Sequence, residues 1–335
     1  MYGALDIGGT KIAGALIDDS GRILLRTRQP TPAGGSAAAM MGAVAAVLDE
    51  LVRDPRWEEM TCLGIASAGP VDAAAGTVSP VNIPAWRAFP LVDEVRSHPR
   101  LPAAIVPALI GDAVAMASAE HWLGAARGVD NALCMVVSTG VGGGLILGGT
   151  LHPGPTGNAG HIGHISVDLD GALCPCGARG CVEVLAGGPA IARQALEAGW
   201  SPPQGVPPSA AAVAVAARAG DTRARRAYER AAQALAAGIA ATASLVELDL
   251  VVIGGGVAQA GEVLLAPLRR YLGHYATLDF TRGLRITASG LALDAGLIGA
   301  AAAAARGVRS RRGTGRPLLD VGQTPCPRTL RPAGP

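Results

Sequence analysis

YGALDIGGTKIAGALIDDSGRILLRT, residues 2–27, reads as three strands joined by two tight turns. Residues 2–7 are apolar or small apart from Asp6 and run into Gly8-Gly9-Thr10-Lys11, after which residues 12–17 resume the apolar run. Asp18-Asp19-Ser20-Gly21 then turns the chain into residues 22–27, the composition of a hairpin connection. The device recurs downstream. Residues 132–137 form a strand, Ser138-Thr139-Gly140-Val141-Gly142-Gly143-Gly144 follows, and residues 145–147 are the hairpin partner. Two strand–glycine–strand units predict two related lobes.

Between and beyond these units the period changes. Residues 36–53 carry Ala, Met, Val and Leu at helical spacing behind Ser36, a suitable N-cap. A strand at 61–66 leads into Ser67-Ala68-Gly69-Pro70, and another at 103–110 is interrupted by Pro107. Gly111-Asp112 opens a helix to about residue 123. Further helices are read at 188–198, 209–218 and 221–247. A strand at 250–253 is closed by Gly254-Gly255-Gly256 and followed by a helix to about 272. A last strand covers 284–288 and a last helix 294–305. Strands alternating with helices predict an α/β fold. The expected division is a first lobe over 1–110, to which 294–307 returns, and a second lobe over 111–293. Residues 308–335 are rich in Arg, Pro and Gly without periodicity, so a disordered tail is expected there.

Half of the 335 residues are apolar but only 3% are aromatic, so the cores must be built from Ala, Val, Leu and Ile. A formal charge of +2 argues against nucleic acid or an anionic membrane as partner. Arg supplies nearly all the positive charge, and Lys11 is the sole lysine. No apolar run reaches the roughly 18 residues of a membrane span, and no basic leader with a cleavage site precedes the first strand. A cytoplasmic protein with reduced thiols is expected.

The second chemical landmark is AGHIGHISVDLDGALCPCGARGCVE, residues 159–183. Cys174 and Cys176 are two apart, Cys181 follows across Gly177 and Gly180, and His164 lies ten residues upstream of Cys174. Three thiolates and one imidazole make a closed tetrahedral set that suits structural Zn²⁺. The alternatives are a disulfide or unligated buried thiols, and a disulfide would leave one Cys of the three over. A closed site keeps no position for a metal-bound water, so such a zinc shapes a site and the chemistry lies on other residues.

Backbone N–H groups in the Gly8-Gly9-Thr10 turn can approach a phosphate, with the Thr10 hydroxyl as a further donor. The step into a helix that defines a Walker P-loop is absent, and the 138–144 glycines do not match the dinucleotide fingerprint. An ordinary glycine-rich hairpin is the competing reading for either turn alone. Asp112 suits a helix N-cap. Cys62 and Cys134 fall in apolar strands and are expected in the core, and His98, His121, His152 and His274 at the surface.

DIGGTK at 6–11, STGVGGGLILGG at 138–149, GHIGH at 160–164 running to CPCGARGCVE at 174–183, and VVIGGGV at 251–257 occur together in this order. On these motifs the chain resembles the ROK family of sugar kinases over residues 1–307. The resemblance implies a two-lobed actin-like ATPase (ribonuclease H-like) fold with a zinc knuckle. It implies that ATP is held by Gly8, Gly9, Thr10, Lys11, Thr139, Gly140, Gly254 and Gly255, with Asp6 near Mg²⁺. Asp112 matches the family's catalytic base, and Gly111 replaces the Asn that usually precedes it. Sugar contacts are implied for Asn82, Asp112, His161, His164 and Glu183, with backbone near Gly69. His164 would face zinc with one ring nitrogen and sugar with the other.

The implied reaction is transfer from ATP to the 6-hydroxyl of a hexose or N-acetylhexosamine. His161 stands where the family's glucokinases carry Glu, and AGHIGH is similar to the N-acetylmannosamine kinases; the loop NIPAW at 82–86 resembles the glucokinases. N-acetylmannosamine is therefore the expected sugar, glucose the alternative. His161 is expected to donate to the acetamido carbonyl while accepting from a neighbouring hydroxyl. The family also contains sugar-sensing repressors with an N-terminal DNA-binding region. The first strand starts at residue 2, which argues for the kinase over a repressor, while Gly111 leaves a non-catalytic sugar-sensing regulator as a further rival. A homodimer or homotetramer is expected, and polyphosphate is an alternative phosphoryl donor.

Overall fold

A computed structural model describes residues 1–311 except Ala33, Asn82, Ala292 and Leu293. The first half contains strands β1 (Tyr2–Ile7), β2 (Lys11–Ile17) and β3 (Ile23–Pro30), helix α1 (Ala37–Val52), β4 (Cys62–Ser67), and a small hairpin of β5 (Val71–Asp72) and β6 (Thr77–Val78). Helix α2 (Leu91–Arg96), β7 (Ala108–Gly111) and α3 (Asp112–Trp122) complete it. The second half contains β8 (Ala132–Val137), β9 (Val141–Leu147), β10 (Thr150–His152), helices α4 (Val182–Ala186), α5 (Gly188–Glu197), α6 (Ala210–Arg218) and α7 (Thr222–Val246), and β11 (Leu250–Gly254). It ends with α8 (Glu262–Tyr275), β12 (Arg285–Ala288) and α9 (Ala295–Arg311).

The repeat suggested by two short glycine runs is explicit in the sheets. One has the order β3-β2-β1-β4-β7 and the other β10-β9-β8-β11-β12. In each, the central strand pairs antiparallel with the strand that follows it and parallel with a later one. This is the two-lobed actin-like architecture.

Three cores hold it together. Trp57 and Trp86 anchor one beneath the first sheet with α1, and Tyr228 lies in another among α7, α8 and the second sheet. The third lies between the sheets and is built largely from alanines of α3 and α9. Small residues there let backbones meet. A side chain on Gly299 would run into the Ala115 backbone of α3, and one on Gly64 into the Ala300 backbone of α9. Burying small side chains at close-packed density compensates for the shortage of aromatics.

Several boundaries differ from the sequence reading. The strand expected over 103–110 is only Ala108–Gly111, because Pro107 has no N–H for the ladder. Strand β9 begins at Val141, so Gly142 and Gly144 are strand residues rather than loop. Added Cβ atoms there would come within 2.8 Å of Ala113 and Ala117, so these glycines admit α3 against the sheet. The final helix continues to Arg311, past the point where a tail was expected; 312–335 and Cys326 lie outside the described residues. His121 is only 2% exposed rather than at the surface, and its Nδ1 has no hydrogen-bond partner. His98 is partly buried and paired with Asp49 at 3.2 Å. Cys62 and Cys134 are core residues as expected.

Candidate active site

Strand β1 delivers Asp6 to the base of the first glycine turn. Gly8 N–H donates to the Lys11 carbonyl at 3.0 Å, which closes the turn, and the Thr31 hydroxyl donates to the Gly8 carbonyl at 2.7 Å. Thr10 is left exposed. Asp6 faces the start of α9, where a Cβ on Gly296 would press on its carboxylate. Burial, and then the negative charge of Asp112, push the Asp6 carboxyl up to about 6 against the pull of Lys11. Two carboxylates from the two expected lobes therefore share one electrostatic environment, an arrangement that suits a bound cation.

Asp112 stands at the first position of α3, after Gly111 in extended conformation. Its Oδ1 accepts from the Ala113 N–H at 2.7 Å, so it also serves the helix start. The residue keeps exposed surface although protein walls its carboxylate, and this desolvation raises its pKa, partly offset by the Ala113 N–H and by the positive charge that His161 has when protonated. A carboxylate with a raised pKa that still reaches solvent is equipped to take a proton from a hydroxyl. A Cβ on Gly111 would meet its nearest atom, the Gly157 carbonyl oxygen, at 3.6 Å. A Cβ at the place of the family's Asn would therefore make only ordinary contacts, with Gly157 and Val114.

His161 stands close to Asp112 and to Gly69: its Nε2 lies 3.4 Å from the position a Gly69 Cβ would take. Its Nδ1 lies 2.7 Å from the Asn158 carbonyl oxygen, which can only accept, so Nδ1 carries the proton. The sequence reading gave this ring both a donor and an acceptor for the sugar. The neutral ring offers only Nε2, as an acceptor. His161 and His164 have ring centroids 6.2 Å apart, nearly parallel. Glu183, in the first turn of α4, accepts from the Val141 N–H at 2.9 Å, and its Oε2 would be 2.6 Å from a Cβ on Gly140. The second glycine turn and the Glu183 carboxylate are therefore one unit. Asn82 lies outside the described residues.

The late glycines join the same turn. A Cβ on Gly255 (φ +91°) would strike the Val137 carbonyl at the end of β8, and one on Gly256 would lie 3.5 Å from the Ser138 Oγ. Only bare backbone fits at Gly255, and Gly255 and Gly256 lie against Val137 and Ser138, where β8 runs into the second glycine turn.

His164, Cys174, Cys176 and Cys181 place one ligand atom each within 4.8 Å of one another. The His164 Nδ1–Cys174 Sγ distance is 3.7 Å and the Cys176–Cys181 Sγ distance 3.8 Å. Zn–S bonds of about 2.3 Å at tetrahedral angles put sulfurs about 3.8 Å apart, so the four residues fit that ion. Burial pushes the Cys181 thiol up to about 12, whereas the Ala178 N–H lowers that of exposed Cys176. A cation is what would hold all three as thiolates.

Two paired five-stranded sheets, facing carboxylates and glycine cradles define the class: a two-lobed protein of the actin-like ATPase fold, in its sugar-kinase form. Comparison with known proteins narrows this further. The ROK family model matches residues 2–306, and the chain belongs to that family. It is 38% identical over 299 residues to an N-acetylmannosamine kinase of Yersinia pseudotuberculosis, covering 89% of this chain and 96% of that one. A crystal structure of a ROK family glucokinase from Streptomyces griseus, in complex with glucose and AMPPNP, superposes with a TM-score of 0.79 at 34% identity, covering 91% and 99% of the two chains. The ROK hexokinase of Thermus thermophilus gives 0.75 at 33% identity, covering 92% and 99%.

Proposed function

We propose that this chain is an ATP-dependent sugar kinase that phosphorylates the 6-hydroxyl of an N-acetylhexosamine, with N-acetylmannosamine as its substrate. The observation that carries the reading is the Asp6–Asp112 pair beside His161 and Gly69, since it sets a base, a cation site and a sugar wall in one place. Asp112 accepts the proton of the attacking hydroxyl as the bond to the γ-phosphorus forms. The Gly8–Lys11 turn and the Thr139-Gly140 turn hold the nucleotide phosphates through backbone N–H groups, and Gly254 and Gly255 border the adenosine. Mg²⁺ bound near Asp6 supplies charge neutralisation at the phosphates. Glu183, fixed by the Val141 N–H, and His161 line the sugar side, with Asn82 as a further contact. The knuckle of His164, Cys174, Cys176 and Cys181 holds Zn²⁺, which orients the His164 ring.

The lobes divide near residue 110, with 294–307 returning to the first; α9 packs on β1, β4 and α3. Among the described residues no helix is long and apolar enough to cross a membrane, in keeping with a cytoplasmic enzyme. A homodimer or homotetramer is part of the reading.

The choice of N-acetylmannosamine rests on the 38% identity to its kinases and on His161. A glutamate at that position accepts from two hydroxyls at once, whereas the Nε2 of His161 accepts from one donor. Glucose is the second reading, favoured by the 34% identity to the Streptomyces griseus glucokinase. The test is ATP-dependent product formation from N-acetylmannosamine, glucose, N-acetylglucosamine and mannose, compared by kcat/KM, with polyphosphate as alternative donor. A higher value for N-acetylmannosamine supports the reading. A higher value for glucose transfers the assignment to glucokinase, and binding without turnover of any sugar makes the protein a sensor.

A further inference from the structure

Asn158 was not among the site residues read from sequence, yet it bonds Val71, Thr156 and His161 at once. Its side-chain Oδ1 accepts from the Val71 N–H at 3.0 Å, and its Nδ2 donates to the Val71 carbonyl at 2.6 Å. Nδ2 also donates to the Thr156 hydroxyl at 2.9 Å. The amide thus engages both main-chain groups of Val71 in β5, as a neighbouring strand would. Val71 is two residues past Gly69, on the small β5–β6 hairpin attached to the first sheet, whereas Asn158 lies in the loop after β10 of the second.

Neighbouring groups reinforce that junction. The Ala73 N–H donates to the Thr156 carbonyl at 3.0 Å. Gly157, at φ +96°, lays its backbone beside the Val71 and Ala73 side chains. A bare left-handed residue is needed there, since a Cβ would come within 3.1 Å of the Val71 methyl. Loop 153–160 is therefore seated on the segment that carries Gly69.

The main chain of Asn158 does a second thing. Its carbonyl takes the His161 Nδ1 proton at 2.7 Å, which selects one tautomer of the neutral ring and leaves the Nε2 lone pair facing Gly69. A loop that drifted from Val71 would carry this carbonyl away, and the ring would be free to rotate or to move its proton to Nε2.

We infer that Asn158 is a positioning residue: its side chain docks loop 153–160 on Val71, and its carbonyl holds His161 as a hydrogen-bond acceptor toward the sugar. While the ring is neutral, the group that meets Nε2 is a donor, a hydroxyl or the N–H of an acetamido substituent. This rests on the assignment of His161 to the sugar side made above. It places the specificity of that residue one step away, in a contact between the two halves of the chain.

The test uses the full-length, zinc-loaded chain. Long-range ¹H–¹⁵N spectra of ¹⁵N-histidine-labelled wild type, with His161→Gln to assign the signal, report the tautomer directly. The Nδ1–H form is expected, and an Nε2–H form overturns the inference whether or not any variant folds. In steady-state assays with N-acetylmannosamine, Asn158→Ala and the isosteric Asn158→Asp each lose the donor to the Val71 carbonyl. Loss of that half-buried pairing should raise the sugar KM by about 5- to 100-fold. The ATP KM should stay within about twofold, and the His161 signal should move toward a mixture of tautomers. Equal changes in both KM values, or a lowered Tm with both unchanged, mean that Asn158 only supports the fold. A wild type that turns over no sugar removes the kinase reading, and the tautomer measurement still decides the role of Asn158.

Discussion

Asp6→Asn should make the ligand-free protein more stable at neutral pH while abolishing most of its use of ATP. The Asp6 carboxyl is raised from 3.8 to about 6, first by burial and then by the charge of Asp112. A shift of 6 − 3.8, about two units at about 1.36 kcal/mol each, makes the ionised form cost up to about 3 kcal/mol in the folded state. The sign follows from which state holds the proton. A carboxyl whose folded pKa is raised contributes fully below about pH 4 and loses that contribution as pH rises through about 6. At pH 4.5 the loss is about 1 kcal/mol, and above pH 7 it reaches about 3. An Asn at this position carries no charge to desolvate, so the stability advantage of the variant should grow by about 2 kcal/mol between pH 4.5 and 7.5. Urea unfolding at both pH values, in magnesium-free buffer made without chelator so that the knuckle keeps its metal, measures this. Adding MgATP should stabilise wild type far more than the variant. A difference between the two proteins that stays flat with pH would refute the argument that Asp6 sits desolvated beside a second carboxylate.

Cys176→Ser should lower zinc content by elemental analysis and raise the sugar KM before the ATP KM, because His164 loses the ion that orients it. Preparations of wild type that hold no zinc when purified without chelator would count directly against the knuckle. His121 is pushed down to about 4 by burial and by Arg306. Wild type should therefore lose on the order of 2–3 kcal/mol as pH falls from 6.5 toward 4. His121→Gln should flatten that part of the stability profile, and an unchanged slope would show that the ring titrates normally. Gly111→Asn should be accommodated, since its backbone is extended (φ −66°, ψ 146°) and its Cβ has ordinary contact distances. It should lower the sugar KM by about two- to tenfold if one hydroxyl gains a partner; a raised KM would show that the added side chain competes with the sugar for its place.

What could be read in advance follows the range of each signal. The two glycine hairpins, the cysteine knuckle and the Gly111-Asp112 junction are local patterns, and the sheets and ligand cluster place them as the spacing implied. Pairings across the fold leave no such trace. Asn158 meets Val71 across 87 positions, and nothing in TGNAG marks it. Glu183 could be read as a sugar ligand, but its bond to the Val141 N–H, 42 positions away, becomes visible only when α4 is seen against β9. His121 looks like a surface residue because α3 has almost no amphipathic contrast; the helix is buried on nearly every side between two sheets and α9. The same burial conceals Glu120, a wholly buried carboxylate that accepts from the Ala125 N–H at 2.8 Å and from the Ser289 hydroxyl. The His161 misreading was chemical. Two free ring nitrogens are a fair assumption until a main-chain carbonyl is found on one of them.

If Asp112 is the base of phosphoryl transfer to sugar, Asp112→Asn should remove the chemistry and leave the binding. The amide keeps the shape and an acceptor for the Ala113 N–H, so the helix start should survive. Single-turnover transfer from ATP to N-acetylmannosamine and calorimetric sugar binding should be measured on the same preparation. Transfer should fall by on the order of 10²–10⁴-fold while sugar affinity changes by no more than about tenfold. A folded Asp112→Asn protein that transfers phosphoryl at close to the wild-type rate would contradict that role of Asp112.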